Sequence, residues 1–228
     1  MAFLFLIMDK INLENAWIRF FEQANASLFN IYVHCKDHTK NHKSKFVEKF
    51  KIPSVPTRWG YLMEAEIQLL KYALESDSQN SWFVLLSEST IPLKPFDFVF
   101  NTLMSSSNSR ICISPNLNLG VHWENQRDTF IRNFPPLARQ GLQKSDYRKS
   151  HQWITLNKKH AKLMVNSKNF IKKTGFQEVF SDGTPVIIAD EWWPATFLNH
   201  KKLLKEVDNV CDTYVNWSAK TTSHPITY

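Results

Sequence analysis

Cysteine is scarce in this chain: Cys35, Cys112 and Cys211 stand far apart, with no CxxC pair. That spacing excludes a cysteine-based zinc or redox motif and leads us to expect no disulfide framework. Glycine is also sparse, with 5 residues against 8 Trp and 17 Phe, a balance that excludes a low-complexity chain and implies a large aromatic core. Long apolar runs are missing too, for none approaches the roughly 20 residues that cross a bilayer. Residues 1–8 are apolar, but they lack a basic leader and a small-residue cleavage site and stop at Asp9-Lys10, so they read as a buried first strand. With Met1 as the native start, the expectation is a reducing, cytoplasmic or host-cytosolic location without signal peptide or membrane anchor.

Charge of one sign is present but not concentrated. The net charge is +7, yet the lysines are spread over residues 36–51, 144–149, 158–173 and 201–205, interleaved with apolar positions at helical spacing. The first reading of this charge is solvated helix faces, and the alternative is attraction of anionic nucleotide donors. A nucleic-acid partner would require a basic stripe, and none is visible.

What is there is an alternation of strand and helix patterns in 228 residues, the length of one well-filled domain. Apolar runs at residues 3–8 and 29–33 flank a helical pattern carrying Ile11, Trp17, Phe20 and Phe21, which makes a βαβ opening. After Trp59-Gly60, the spacing of Leu62, Ala65, Leu69, Leu70, Ala73 and Leu74 predicts an amphipathic helix. Further strands are expected at residues 82–86, 110–114, 152–156, 185–188 and 213–217, and further helices at 96–103, 158–165, 169–173 and 190–198. Residues 115–149 lose periodicity and read as a long, partly helical connection. The class is α/β.

Several of these segments, in order, resemble glycosyltransferase family 14, the core-2/I-branching and peptide xylosyltransferase group, and most of all its plant-like branch. The resemblance is carried by Ala2-Phe3-Leu4-Phe5-Leu6, Ile31-Tyr32-Val33-His34, Trp59-Gly60 and the run from Phe83 through Ser87-Glu88-Ser89-Thr90-Ile91-Pro92-Leu93. It continues through Arg148-Lys149-Ser150-His151-Gln152-Trp153, Ala189-Asp190-Glu191-Trp192-Trp193-Pro194-Ala195-Thr196 and Tyr214-Val215-Asn216-Trp217-Ser218. It implies a GT-A-type fold: a single Rossmann-like nucleotide-binding sheet flanked by helices, with an adjoining acceptor-binding portion. The expected organisation is one domain over residues 1–228, about 1–114 binding the nucleotide sugar and about 115–228 serving the acceptor and catalysis. Two departures stand out. His34 is followed by Cys35-Lys36 where many relatives have His-Val-Asp, and Lys149-Ser150-His151-Gln152-Trp153 replaces Lys-Gly-Ser-Gln-Trp.

The resemblance implies an inverting, metal-independent transfer of a sugar, N-acetylglucosamine or xylose first, from a UDP-sugar donor to a glycan acceptor. Inversion requires one carboxylate to take the acceptor proton while a nucleoside diphosphate departs from the opposite face. Glu191 matches the family's base, and Asp190 beside it would cap the following helix and touch substrate; the other reading is that both acids only serve a helix N-terminus. The strand end carries Ser87-Glu88-Ser89 rather than an Asp-x-Asp pair, so no metal or other cofactor is expected and fixed cations must hold the diphosphate. Lys220 is the first choice for that task, with Arg148 and His224 next, and His34 is a candidate nucleotide contact or a structural histidine. Glu88 and Ser89 are candidates for sugar hydroxyls, although Glu88 would equally hydrogen-bond the turn before Pro92. Trp59, Trp153 and Trp192 offer ring faces to a sugar or side chains to the core. The competing reading is a non-catalytic carbohydrate- or nucleotide-binding module on the same fold.

Overall fold

A computed structural model of the chain describes residues 1–37, 44–113, 142–177 and 187–216. The expected βαβ opening is present as β1 (Ala2–Ile7), α1 (Glu14–Glu22) and β2 (Asn30–Cys35). Two helices follow, α2 (Lys45–Phe50) and α3 (Met63–Ser76), then β3 (Trp82–Ser87), α4 (Phe96–Met104) and β4 (Ser109–Arg110). Beyond residue 142 come β5 (Thr155–Asn157), α5 (Lys158–Val165), α6 (Lys168–Thr174), α7 (Trp193–His200) and β6 (Val207–Asp208).

The strands form one six-stranded sheet in the order β2-β1-β3-β5-β4-β6, with β1 parallel to both β2 and β3 and β5 antiparallel to its neighbours. This is the mixed α/β sheet flanked by helices that the GT-A expectation describes. The chain leaves β1 toward β2 and returns to β3 on the other side of β1. Such a reversal opens a crevice at the carboxyl ends of the strands, where open α/β sheets bind ligands.

All six residues of β1 are buried because both faces are covered. Phe3 and Phe5 pack with Trp17, Phe20, Phe21 and Phe96 of α1 and α4 in edge-on and tilted ring contacts 4.9–6.3 Å apart. Each such pair is worth about 0.5–1.5 kcal/mol beyond its buried area. Ala2, Leu4 and Leu6 face the opposite cluster, with Leu69 and Leu70 of α3, Met164 of α5 and Trp193 of α7. The turn before α7 discussed below packs on this second face, whereas the cavity at the end of β3 is lined largely by the first, including Phe3, Trp17 and Phe20.

Several expected boundaries shift. The strand expected at 110–114 is shorter, and Ile113 forms only a lone bridge to Ser150. Residues 213–216 are not strand; the edge is taken by β6 instead, and Trp217 lies outside the described residues. Ile187 and Ile188 are not in a strand, and the rest of that expected element, like residues 115–141 of the long connection, is also outside them. The helix expected from Asp190 opens as a separate 3-10 turn, Ala189–Glu191, and the α-helix starts at Trp193. Pro194 is the reason: in a helix running on from residue 190 its ring would meet the Asp190 carbonyl four residues back, whereas in a first turn it is tolerated.

The expectation of no disulfide is overturned. Cys112, just after β4, is bonded to Cys211, just after β6, across 99 residues of chain. The parallel pairing of β4 with β6 brings these two sequence-distant thiols to a Cα separation of 4.5 Å, which spacing along the chain could not reveal. Such a bridge persists in oxidising surroundings, at odds with the reducing compartment expected above. Among the described residues no helix is long and apolar enough to cross a membrane.

Candidate active site

Residues 145–150 lie along α7 and the turn before it and are clipped to both. Thr196 Oγ1 accepts from the Arg148 amide at 3.0 Å, and Asn199 Nδ2 donates to the carbonyls of Ser145 and Asp146, both at 2.9 Å. The Ser150 amide donates to the Glu191 carbonyl at 2.8 Å. This register puts Lys149 Nζ 3.0 Å from Glu191 Oε2, with the two side chains 14% and 26% exposed. Glu191 therefore presents a carboxylate fixed by an ion pair yet partly open to solvent. If Glu191 acts as the base that the resemblance implies, Lys149→Met, which removes the anchoring charge, is expected to lower kcat about tenfold through misorientation of that carboxylate; unchanged kcat would show the ion pair to be incidental.

The turn carrying Glu191 is also bolted to the start of α3. The Ala189 amide donates to the Gly60 carbonyl at 3.1 Å, and the Leu62 amide donates to Asp190 Oδ1 at 3.1 Å. Gly60 has φ 71°, a left-handed conformation that suits glycine and lets the turn approach. Asp190 thus does not cap α7, as expected from sequence; the helix it serves is α3, 128 residues earlier.

At the carboxyl end of β3 a cavity of about 390 Å³ is lined by Ser87, Ser89, Thr90, Trp153, Tyr214 and Asn216, among others. Its rim is laced to the loop after β1: the Met8 amide donates to Glu88 Oε2 at 2.6 Å, the Asn12 amide to the Glu88 carbonyl at 2.9 Å, and Asn12 Nδ2 to Ser89 Oγ at 3.1 Å. Trp17 Nε1 donates to the Thr90 carbonyl at 2.8 Å, which anchors α1 to the same rim.

A helix-flanked sheet, a cavity at the end of β3 and, apart from the cavity's lining, a partly exposed glutamate held on a lysine characterise the fold, and the core-2/I-branching enzyme model matches residues 1–228, the entire chain. The chain belongs to the core-2/I-branching enzyme family. It is 25% identical over 259 aligned residues to the protein named glycosyltransferase BC10 of rice (Oryza sativa subsp. japonica), covering 100% of this chain and 62% of that protein. The chain thus spans rather less than two thirds of the length of that curated relative.

Other residues singled out for a core-2/I-branching site are placed differently from one another. Ser89 and Trp153 line the cavity, and Glu88 is spent on the Met8 amide at its rim. His34, Trp192 and Asp190 are buried, at 0%, 2% and 3% exposure, so they offer no surface to a substrate here. The Val55 amide donates to His34 Nε2 at 3.0 Å, so this histidine ties β2 to the following loop. The Arg148 guanidinium donates to the carbonyls of Ser145 and Tyr147, at 2.6 and 2.8 Å, bracing its own loop. Lys220 and His224 lie outside the described residues. Of the three tryptophans, Trp192 is core, Trp153 faces the cavity and Trp59 is 59% exposed.

Sequence reasoning missed Glu66. It sits on the apolar face of α3, between Leu62 and Leu69-Leu70, and is 2% exposed. A charged residue on an otherwise apolar helical stripe was the available signal. Gln152 Nε2 donates to its Oε1 at 2.9 Å and Trp193 Nε1 to its Oε2 at 3.3 Å. Burial first, and the neighbouring Asp190 carboxylate second, push Glu66 up to about 8; burial likewise raises Asp190 to about 6, with the charge of Glu191 adding to it. The folded chain therefore holds protons that the unfolded chain has released, and stability falls as pH rises from the ordinary carboxylate value of 4.5 to about 8. Melting curves between those limits are expected to decline with pH, and Glu66→Gln to flatten the decline by about one proton's share. An unaltered slope would mean that Glu66 is ionised throughout.

Proposed function

We propose that this chain is the catalytic domain of an inverting, metal-independent glycosyltransferase that moves a sugar from a UDP-sugar to a glycan acceptor in β-linkage. N-acetylglucosamine and xylose are the first candidates for that sugar. The observation that carries this reading is the accessible Glu191 carboxylate held on Lys149, in a chain matched throughout by the core-2/I-branching enzyme model. The rice relative's printed name, glycosyltransferase BC10, supports the reaction class.

In the reaction, Glu191 takes the proton of the acceptor hydroxyl as its oxygen forms a bond to the anomeric carbon. The bond from that carbon to the phosphate oxygen breaks on the opposite face, and UDP departs with the electron pair. Ser87-Glu88-Ser89 supplies a single carboxylate, already engaged by the Met8 amide, where an Asp-x-Asp pair would hold a cation, which supports charge neutralisation by side chains. Lys220 is proposed for the diphosphate, with His224 and Arg148 as secondary contacts. Ser89 and Trp153 are proposed for the bound sugars, because they line the cavity. Residues of about 1–114 would serve mainly the donor and about 115–228 mainly the acceptor and the chemistry.

A donor screen in chelator-containing buffer tests this, scoring UDP release and donor-induced thermal shift. Chelator-resistant turnover of one UDP-sugar, with acceptor present, is the expected result. Strict dependence on added manganese would overturn the metal-free mechanism. Thermal stabilisation by a donor without turnover across a panel of acceptors would favour a binding module.

A further inference from the structure

Two carboxyl groups, Glu66 and Asp190, are buried side by side, and among the described residues no basic side chain pairs with Glu66. Burying two carboxyl groups together is unfavourable relative to apolar residues of the same volume. Leucine at position 66 would extend the apolar stripe of α3 without that cost. The location of the bonds that Glu66 makes instead is informative. One goes to Gln152, which stands between the Lys149 that grips Glu191 and the Trp153 that lines the cavity. The other goes to Trp193, the first residue of α7, two positions after Glu191. Asp190 continues the arrangement by accepting from the Leu62 amide, one turn before Glu66 on α3. The loop that anchors the carboxylate and the turn that bears it are therefore both referred to one buried carboxyl group.

We propose that Glu66 is a positioning residue for the transfer reaction: through its hydrogen bonds to Gln152 and Trp193 it sets the distance between Lys149 and Glu191 and so the aim of the Glu191 carboxylate. The inference rests on Glu191 acting as the base. Glu66 touches no substrate; it acts by holding two segments in register, and a misplacement of about 1 Å at a reacting group is worth up to 100-fold in rate.

Donor direction makes the test specific. Both Glu66 oxygens accept, so Glu66→Gln sets its amide NH2 against either Gln152 or Trp193, both of which donate, and one bond is lost. In the exchange variant Glu66→Gln with Gln152→Glu, the new glutamine donates to position 152 and accepts from Trp193, so both bonds return. Glu66→Gln is expected to lower kcat about tenfold with donor KM unchanged, and the exchange variant to recover most of that loss. Loss of melting temperature with kcat intact, or no recovery in the exchange variant, would overturn the proposal and leave Glu66 a packing residue.

A second readout is independent of turnover. Carbodiimide-driven amine labelling of Glu191, followed by peptide mass spectrometry with exposed Glu75 as internal reference, reports how the carboxylate is held. Labelling of Glu191 should rise several-fold in Glu66→Gln and return toward the parent rate in the exchange variant; equal rates in all three would overturn the proposal. A parent protein that turns over no donor yet shows this labelling pattern would refute the transferase reading while leaving the positioning role in place.

Discussion

Glu191→Gln is expected to cut turnover roughly a thousandfold, within the range of 10²–10⁴ that a positioned general base contributes. The substitution keeps the shape of the side chain and leaves an oxygen that can still accept from Lys149 Nζ, now 3.0 Å from Oε2. It removes only the capacity to take a proton. The side chain is 26% exposed and, among the described residues, its carboxylate pairs with Lys149 alone, so the melting temperature should stay within about 1–2 °C of the parent. Donor-induced thermal stabilisation should persist as well, because the base acts on the acceptor. A variant that kept more than a tenth of parent turnover would sink Glu191 as the base.

Removing the Cys112–Cys211 bridge is expected to have the largest effect on stability. Crosslinking a loop of about 100 residues restricts the unfolded chain by up to about 4.7 kcal/mol in the chain-entropy account, and measured values cluster nearer 2–4 kcal/mol. In a chain of this size, each kcal/mol moves the melting temperature by about 2–4 °C. The double substitution Cys112→Ser with Cys211→Ser should therefore lower it by roughly 10 °C, and excess reductant should do the same to the parent. Native geometry should survive, because the bridged segments have other ties. Arg110 pairs with Asp212 through two nitrogens at 2.7–3.0 Å, and the Ile113 amide donates to Asn209 Oδ1 at 2.8 Å. Identical melting curves with and without reductant would show that the bridge does not form in solution. The functional stake lies just downstream: residues 212–216 line the cavity and lead directly to Lys220, the cation proposed for the leaving diphosphate. A looser segment should weaken UDP binding more than it changes the rate at saturating donor.

How far the site was legible in advance differs from residue to residue. Glu191 and Lys149 each stand in a short motif of the sequence, but their contact depends on how residues 145–150 lie along α7 and the turn before it. Ser89 and Trp153 were named 64 positions apart, and only the pairing of β3 with β5 places them around one cavity. Asp190 was assigned to the helix beginning beside it, the local choice, whereas its bond runs to Leu62. Trp192 and Trp193 look alike in sequence. Both are core, and Trp193 also donates to Glu66 through its indole N–H.

Sequence alone determined the class and most of the elements, because strand and helix periodicities are local: apolar residues on every position of β1, and at three- and four-residue spacing along α3, leave little choice of partner surface. It also determined the family-like motifs and hence the candidate base. Tertiary structure alone decided which distant residues meet: Cys112 with Cys211, Asp190 with Leu62, and Glu66 with Gln152 and Trp193. The physical reason is that these contacts are set by sheet order and helix packing, whose free energy is spread over many apolar residues. Single polar and thiol side chains are then brought together by a framework that their own spacing does not encode.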